Sequence, residues 1–163
     1  MTPAAPLTSV LTIEAAHTLS AEARRLMAEL TGELAALYPE QADGIFPFGE
    51  EDVAAGRGVF LVAASGGAAV GCGGLRRVEE GVGEIKRMFV RPSARGRGVA
   101  RAVLTALEDA GRRLGLRRVI LETGKRQGPA LALYRRAGYS EIPLYGEFVG
   151  NPLSVCLAKD LLR

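Results

Sequence analysis

Met88-Phe89-Val90-Arg91-Pro92-Ser93-Ala94-Arg95-Gly96-Arg97-Gly98-Val99-Ala100-Arg101 reads as the end of a β-strand, a glycine-bearing turn and the first turn of a helix. Two glycines let the backbone approach a ligand with no Cβ in the way, and the amides of a first helical turn have no internal acceptor. An anion satisfies them. The helix dipole adds partial positive charge at the same place, and Arg95, Arg97 and Arg101 add whole charges. The expected ligand is a di- or polyphosphate.

Upstream, 10–14 predicts a short first strand, and 20–38 places Ala23, Leu26, Met27, Leu30, Leu34 and Leu37 at spacings of three and four, an amphipathic helix that Pro39 ends. The segment 39–49 reads as a loop. Its Phe46 and Phe48 either stand over a binding site or plug the loop into the core. Two β-type runs, 58–64 and 68–78, flank the hairpin signal Ser65-Gly66-Gly67, and a turn at 79–83 leads into a third strand, 84–90. Downstream, Val99, Val103, Leu107, Ala110 and Leu114 trace a helical stripe over 98–114, with Arg101, Glu108, Asp109, Arg112 and Arg113 away from it. Gly115 caps this helix. The short apolar run 117–122 suits a buried strand and completes a right-handed βαβ unit. A helix from Pro129 to about Ala137 ends at Gly138, and 139–142 and 153–158 read as late strands. The order implies a mixed α/β sheet, mostly antiparallel, of about six to seven strands with a central βαβ unit and helices on both faces.

The 163 residues suit one domain with a core that needs no disulfide or metal, preceded by a flexible 1–8. With 48% hydrophobic and 24% charged residues, the balance is that of an ordinary globular protein. The net charge of +3 comes from arginines clustered between Arg87 and Arg136, which favours an anionic ligand over nucleic acid. Cys72 and Cys156 lie in apolar contexts typical of buried reduced thiols, and the N-terminus lacks a signal-peptide pattern, so a cytoplasmic protein is expected. No apolar run is long enough for a membrane span. His17 reads as a surface or capping residue, and one histidine with two distant cysteines assembles no metal site. Cys72 has no base to activate it.

Three families place a glycine-rich turn between strand and helix. The P-loop pattern G-x-x-x-x-G-K-S/T has no match in this chain. The dinucleotide fingerprint G-x-G-x-x-G begins at Gly96 and Gly98 but meets Arg101 at its third glycine, and an antiparallel meander precedes the loop; Glu122 nonetheless stands where a ribose-binding acid would. The third pattern, Q/R-x-x-G-x-G/A, is filled by Arg95-Gly96-Arg97-Gly98-Val99-Ala100. A charged strand ending Val90-Arg91-Pro92 precedes it, and Ala132-Leu133-Tyr134-Arg135-Arg136-Ala137-Gly138-Tyr139 follows. From about residue 10 to 159 the chain resembles the GCN5-related N-acetyltransferases, whose late helix usually ends L-Y-x-x-x-G-F; Tyr139 stands at the phenylalanine and Gln127 where an asparagine is common.

The resemblance implies an acyl-CoA N-acyltransferase fold in which acetyl-CoA lies where the two parallel strands splay apart. Backbone groups of Met88, Phe89 and Val90 would pair with the pantetheine arm, and the segment Arg95, Gly96, Arg97, Gly98, Val99, Ala100 and Arg101 would hold the pyrophosphate, with Gln127 as a further amide contact. It also implies direct attack by an amine on the thioester. Tyr134 matches the family's acid, and the bland alternative is an aromatic packed on the sheet. Glu84 matches the base of the histone-acetylating branch; Glu122 or water is left open for that role. Strand alternation puts Glu84, Lys86, Met88 and Val90 on one face and Ile85, Arg87 and Phe89 on the other. Lys86 and Arg87, charged in an apolar strand, need partners or a wet cleft and are expected to meet an acidic group on the acceptor, with Glu122 and Phe46 also toward it. A small, amino-acid-like primary amine fits that pattern. A protein amine, a non-catalytic CoA-binding module and a nucleotide-dependent oxidoreductase are the alternatives. A homodimer through the C-terminal strands is compatible with the sequence, and nothing in it demands one.

Overall fold

In the computed structural model, which describes residues 10–41 and 48–161, the chain runs β1 (Leu11–Ala16), α1 (Ala21–Leu37), α2 (Glu50–Val53), β2 (Gly58–Ser65), β3 (Ala68–Glu79), β4 (Val82–Val90), α3 (Val99–Arg113), β5 (Arg118–Gly124), α4 (Gly128–Arg136), β6 (Ser140–Ile142) and β7 (Ser154–Asp160). Single 3₁₀ turns fill Pro39–Gln41, Pro92–Ala94 and Gly146–Phe148. Local chemistry sets the helix ends. Ser20 caps α1 by accepting the Ala23 amide at 3.1 Å, and Pro39 stands just past its end. Gly98, left-handed at φ 81°, opens α3, while Gly115 and Gly138 take positive φ after α3 and α4.

The strands form one sheet in the order β1-β2-β3-β4-β5-β7-β6, antiparallel everywhere except between β4 and β5. The expected meander, βαβ unit and late strands are all present. That parallel pair is short: it runs from Val82↔Arg118 to Ile85↔Leu121 and stops. Beyond it β4 continues to Val90, and β5 continues to Gly124 along β7 alone. The two strands part. On one face Leu61, Leu75, Ile85, Leu121 and Leu157 pack under Val99, Val103 and Leu107 of α3 and Tyr134 of α4. On the other, Phe60, Cys72 and Phe89 pack under Ala23, Leu26 and Leu30 of α1 and Val53 of α2. Fully burying a leucine such as Leu26 contributes roughly 2 kcal/mol, so each helix is held by its apolar stripe rather than by its own propensity.

Two expectations change. Glu108, assigned by periodicity to the outer face of α3, is buried, accepting from the Tyr139 hydroxyl at 2.8 Å and from Lys159 Nζ at 3.0 Å. Lys159 shares the α3-facing side of β7 with Val155 and Leu157, and Tyr139 follows α4 into the same core, so an apparently outward carboxylate meets two donors. The segment 39–49, expected as a loop, begins with the 3₁₀ turn Pro39–Gln41, and the unexpected α2 follows it at 50–53, started by the Gly49 amide donating to Asp52 at 2.8 Å in a piece too short to show periodicity. Phe46 lies outside the described residues. Phe48 packs at 6.0 Å from the Phe60 ring, the core-plugging alternative for that side chain.

Candidate active site

The parting of β4 and β5 opens a cleft of about 710 Å³, bordered by Glu84 to Val90, the loop before α3, the end of β5, α4 and the inner face of α1. A bulge shapes its β4 wall. Between the pairs Gly74↔Lys86 and Cys72↔Phe89, Arg87 and Met88 oppose Gly73 alone. Arg87 takes φ 60°, and its guanidinium donates to the Met27 carbonyl and the Thr31 hydroxyl of α1, each at 2.6 Å. The extra residue reverses the alternation, which therefore holds only through Lys86. Met88 and Val90 join the α3-side core, opposite Glu84 and Lys86, and Phe89 joins the α1 side. Arg87 is thus tied to α1, away from the acceptor role expected of it. The Cys72 thiol donates to the Arg87 carbonyl at 3.3 Å and is pushed up to about 12 by burial, the reverse of an activated nucleophile.

The loop before α3 carries Gly96 and Gly98 at φ 76° and 81°. None of the amides from Gly96 to Arg101 donates to a backbone carbonyl among the described residues; the ladder of α3 begins with Ala102 to Gly98 at 3.1 Å. A Cβ on Gly98 would meet nothing within 4 Å, so the cradle stands open. Arg97 and Arg101 are exposed. Arg95 behaves differently: its guanidinium donates to the Val90 carbonyl at 2.9 Å and to Glu33 at 2.6 Å, and stacks 5.8 Å over Phe89. It braces the loop against α1. On the opposite wall the Gln127 side-chain oxygen accepts from the Gly124 amide at 2.8 Å and the Thr123 hydroxyl at 3.2 Å, fixing the turn between β5 and α4. The Tyr38 hydroxyl accepts the Arg126 amide at 2.9 Å, closing that wall against α1.

At the far end the polar side chains converge. Glu84 accepts from Arg76 Nε at 3.0 Å and from the Tyr145 hydroxyl at 2.6 Å, and Arg76 also holds buried Asp52 of α2 at 3.2 Å. Lys86 lies 3.6 Å from Glu147, 3.9 Å from Glu84 and 5.6 Å from the Phe148 ring centre. Glu122 accepts the Ser154 hydroxyl at 2.6 Å; burial raises its carboxyl above the usual carboxylate range, against the pull of Ser154 and Lys86. Tyr134 borders the cleft from α4 with its ring edge on Tyr139, centres 5.8 Å apart. Its hydroxyl has no hydrogen-bond partner among the described residues, and burial, then Glu122, holds its phenol well above the usual range. Sequence reasoning missed Asp52, Arg76, Tyr145, Glu147 and Ser154. Arg76 alone was within reach, since the hairpin turn sets the register Arg76↔Glu84 and a carboxylate in an apolar strand demands a cation. His17 holds the carbonyls of Val53 and Gly58, each at 3.0 Å, in a bracing role.

The family model described as the acetyltransferase (GNAT) family matches residues 17–139. The chain belongs to the GNAT acetyltransferases. It is 38% identical over 138 residues to a protein of Azospirillum brasilense named IAA acetyltransferase, covering 84% of this chain and 89% of that one. A solved structure from Klebsiella pneumoniae, assigned to the acyl-CoA N-acyltransferases, superposes with a TM-score of 0.76 at 33% identity over 93% of this chain and 98% of that one. An IAA acetyltransferase structure from Bacillus cereus, 19% identical with a TM-score of 0.66 over 93% of this chain and 99% of that one, shares the fold.

This GNAT chain is an acetyl-CoA-dependent N-acetyltransferase, and the dinucleotide alternative lapses. The family uses acetyl-CoA as acyl donor, and the residues present suit one: amides at a helix start that have no partner among the described residues, for a pyrophosphate, and a β4 edge left open beyond Ile85 for an extended arm. Among the described residues of the GNAT chain, no cluster of histidine, cysteine or acidic side chains could hold a metal, and no helix is long and apolar enough to cross a membrane.

Proposed function

We propose that the enzyme acetylates the primary amine of a small molecule by direct attack. One observation carries this reading: where β4 and β5 part, the Tyr134 hydroxyl and one oxygen of Glu122 border the same cleft without hydrogen-bond partners among the described residues. An acid and an acceptor of protons are what amine acetylation needs, because the attacking ammonium must lose a proton and the leaving thiolate must gain one. Acetyl-CoA, when bound, supplies the activated acyl carbon. Backbone groups of Met88, Phe89 and Val90 align its arm, and the amides from Gly96 to Arg101 hold its pyrophosphate, with Arg97 and Arg101 adding charge. Tyr134 gives a proton to the departing sulfur.

Phe148 borders the acceptor end of the cleft and its ring meets that of Tyr145 edge to face at 5.5 Å, an aromatic wall that favours a small amine over a folded protein's side chain. With Arg87 engaged by α1, Lys86 is the residue to meet a carboxylate on an amino-acid-like acceptor, in competition with Glu147. Incubation with acetyl-CoA and a panel of neutral, carboxylate-bearing and peptidyl amines, read by CoA thiol release and product mass, tests the reading. Small primary amines are expected to gain one acetyl group. Turnover with peptidyl amines alone, or with none, contradicts it.

A further inference from the structure

Glu84, the glutamate that resemblance marks as the base, is poorly free to act as one. Its Oε1 accepts from Arg76 Nε at 3.0 Å and lies 2.9 Å from Arg76 Nη2 in the same ion pair, its Oε2 accepts from Tyr145 at 2.6 Å, and only 2% of the residue is exposed. A proton arriving there would displace one of these donors and unbalance a buried cluster in which Arg76 also holds Asp52. Glu122 is arranged differently. It is the first β5 residue past the last β4–β5 pair, on the face shared by Glu84 and Ile120. Ser154 fixes its Oε2 at 2.6 Å, while Oε1 accepts no hydrogen bond among the described residues and borders the cleft.

We propose that Glu122, held by Ser154, is the general base that takes the proton from the acceptor amine, and that Glu84 is an anchored anion binding β3, α2 and the Tyr145 segment into the pocket wall. This rests on the reading of the cleft as an acetyl-transfer site. The ammonium passes one proton to the Glu122 carboxylate. The neutral amine forms the C–N bond as the C–S bond breaks, and the sulfur takes the Tyr134 proton. The second proton on nitrogen returns to the Tyr134 phenolate, and Glu122 releases its own to solvent, leaving amide, CoA thiol and one proton. The surroundings suit a base working near neutrality. Burial, and to a lesser extent Glu84 and Glu147, push its proton affinity up, while Ser154 and Lys86 pull it down. Tyr145, Cys156, Tyr134 and Tyr38 face Glu122 from the segment after β6, from β7, from α4 and from α1, each with its own proton held more tightly than usual. They stay neutral, so Glu122 is the group that gains charge as pH rises through its raised range, and turnover rises with it.

The test combines pH profiles of turnover with a titration that needs no acyl donor. Carbon-13 NMR of glutamate carboxyls in the full chain, compared between wild type and Glu122→Gln, is expected to show one resonance titrating above the usual carboxylate range, at the midpoint of the ascending limb of kcat/KM. Glu122→Gln should lower kcat about 100-fold or more and erase that limb. Glu84→Gln, or Tyr145→Phe where the former does not fold, should keep the limb even if turnover falls. Ser154→Ala removes a bond to the charged form and should move the limb to higher pH. A limb that survives Glu122→Gln, a change in amine KM alone, or an unmoved limb in Ser154→Ala overturns the assignment while leaving the acetyl-transfer reading intact. A wild-type protein that acetylates no amine overturns both.

Discussion

Tyr134 stands in the last turn of α4 with its ring packed on Tyr139 and its hydroxyl without a hydrogen-bond partner among the described residues, so its packing and its chemistry are separable. Tyr134→Phe keeps the packing and removes the proton. Turnover is expected to fall about 100-fold while acetyl-CoA affinity, measured by equilibrium titration, changes less than about threefold, the pattern of an interaction made in the transition state. Equal turnover would make Tyr134 a packing residue only. This tyrosine was readable in the sequence because Tyr134, Gly138 and Tyr139 sit at fixed spacing on a helix and its cap. Tyr145 and Ser154 were not. They come from a segment without periodicity and from a strand start, and they matter only because the fold brings them to Glu84 and Glu122.

At the scale of the element, β4 shows why period-two reasoning served for Glu84 and Lys86 and failed for Met88, Phe89 and Val90. A bulge is specified by its partners: here Arg87 pays for a left-handed φ with two hydrogen bonds to α1, and no glycine marks the place. Arg87→Ala keeps the unfavourable φ and loses both bonds, and is expected to destabilise the protein by about 2 kcal/mol. Arg87→Gly loses the same bonds but tolerates the φ, and should recover about 1 kcal/mol of that loss. Urea midpoints of the two variants check this. A glycine variant no more stable than the alanine variant would show that the bulge stores no strain at Arg87.

For the whole molecule, the order of strands and helices follows from hydrophobic periods, turn residues and proline and glycine placement, so the sheet and its βαβ unit were legible. Features that depend on which distant residues the sheet brings to a helix flank were not, such as Glu108 meeting Lys159 and Tyr139. The cleft lies between these two classes. Its phosphate end is local, one strand-turn-helix in sequence, whereas its acceptor end assembles β3, β4, β5, β7 and the segment after β6. That division makes the donor end the place for the most direct test. Gly98 has room for a side chain and a φ that aspartate tolerates better than most residues, so Gly98→Asp should fold while setting a carboxylate against the pyrophosphate. Calorimetric titration of acetyl-CoA into both proteins is expected to show saturable binding to wild type and at least about 100-fold weaker binding to Gly98→Asp, about 2.7 kcal/mol, with the melting temperature of the unliganded variant within a few degrees of wild type. Equal affinity in the two proteins would contradict the account.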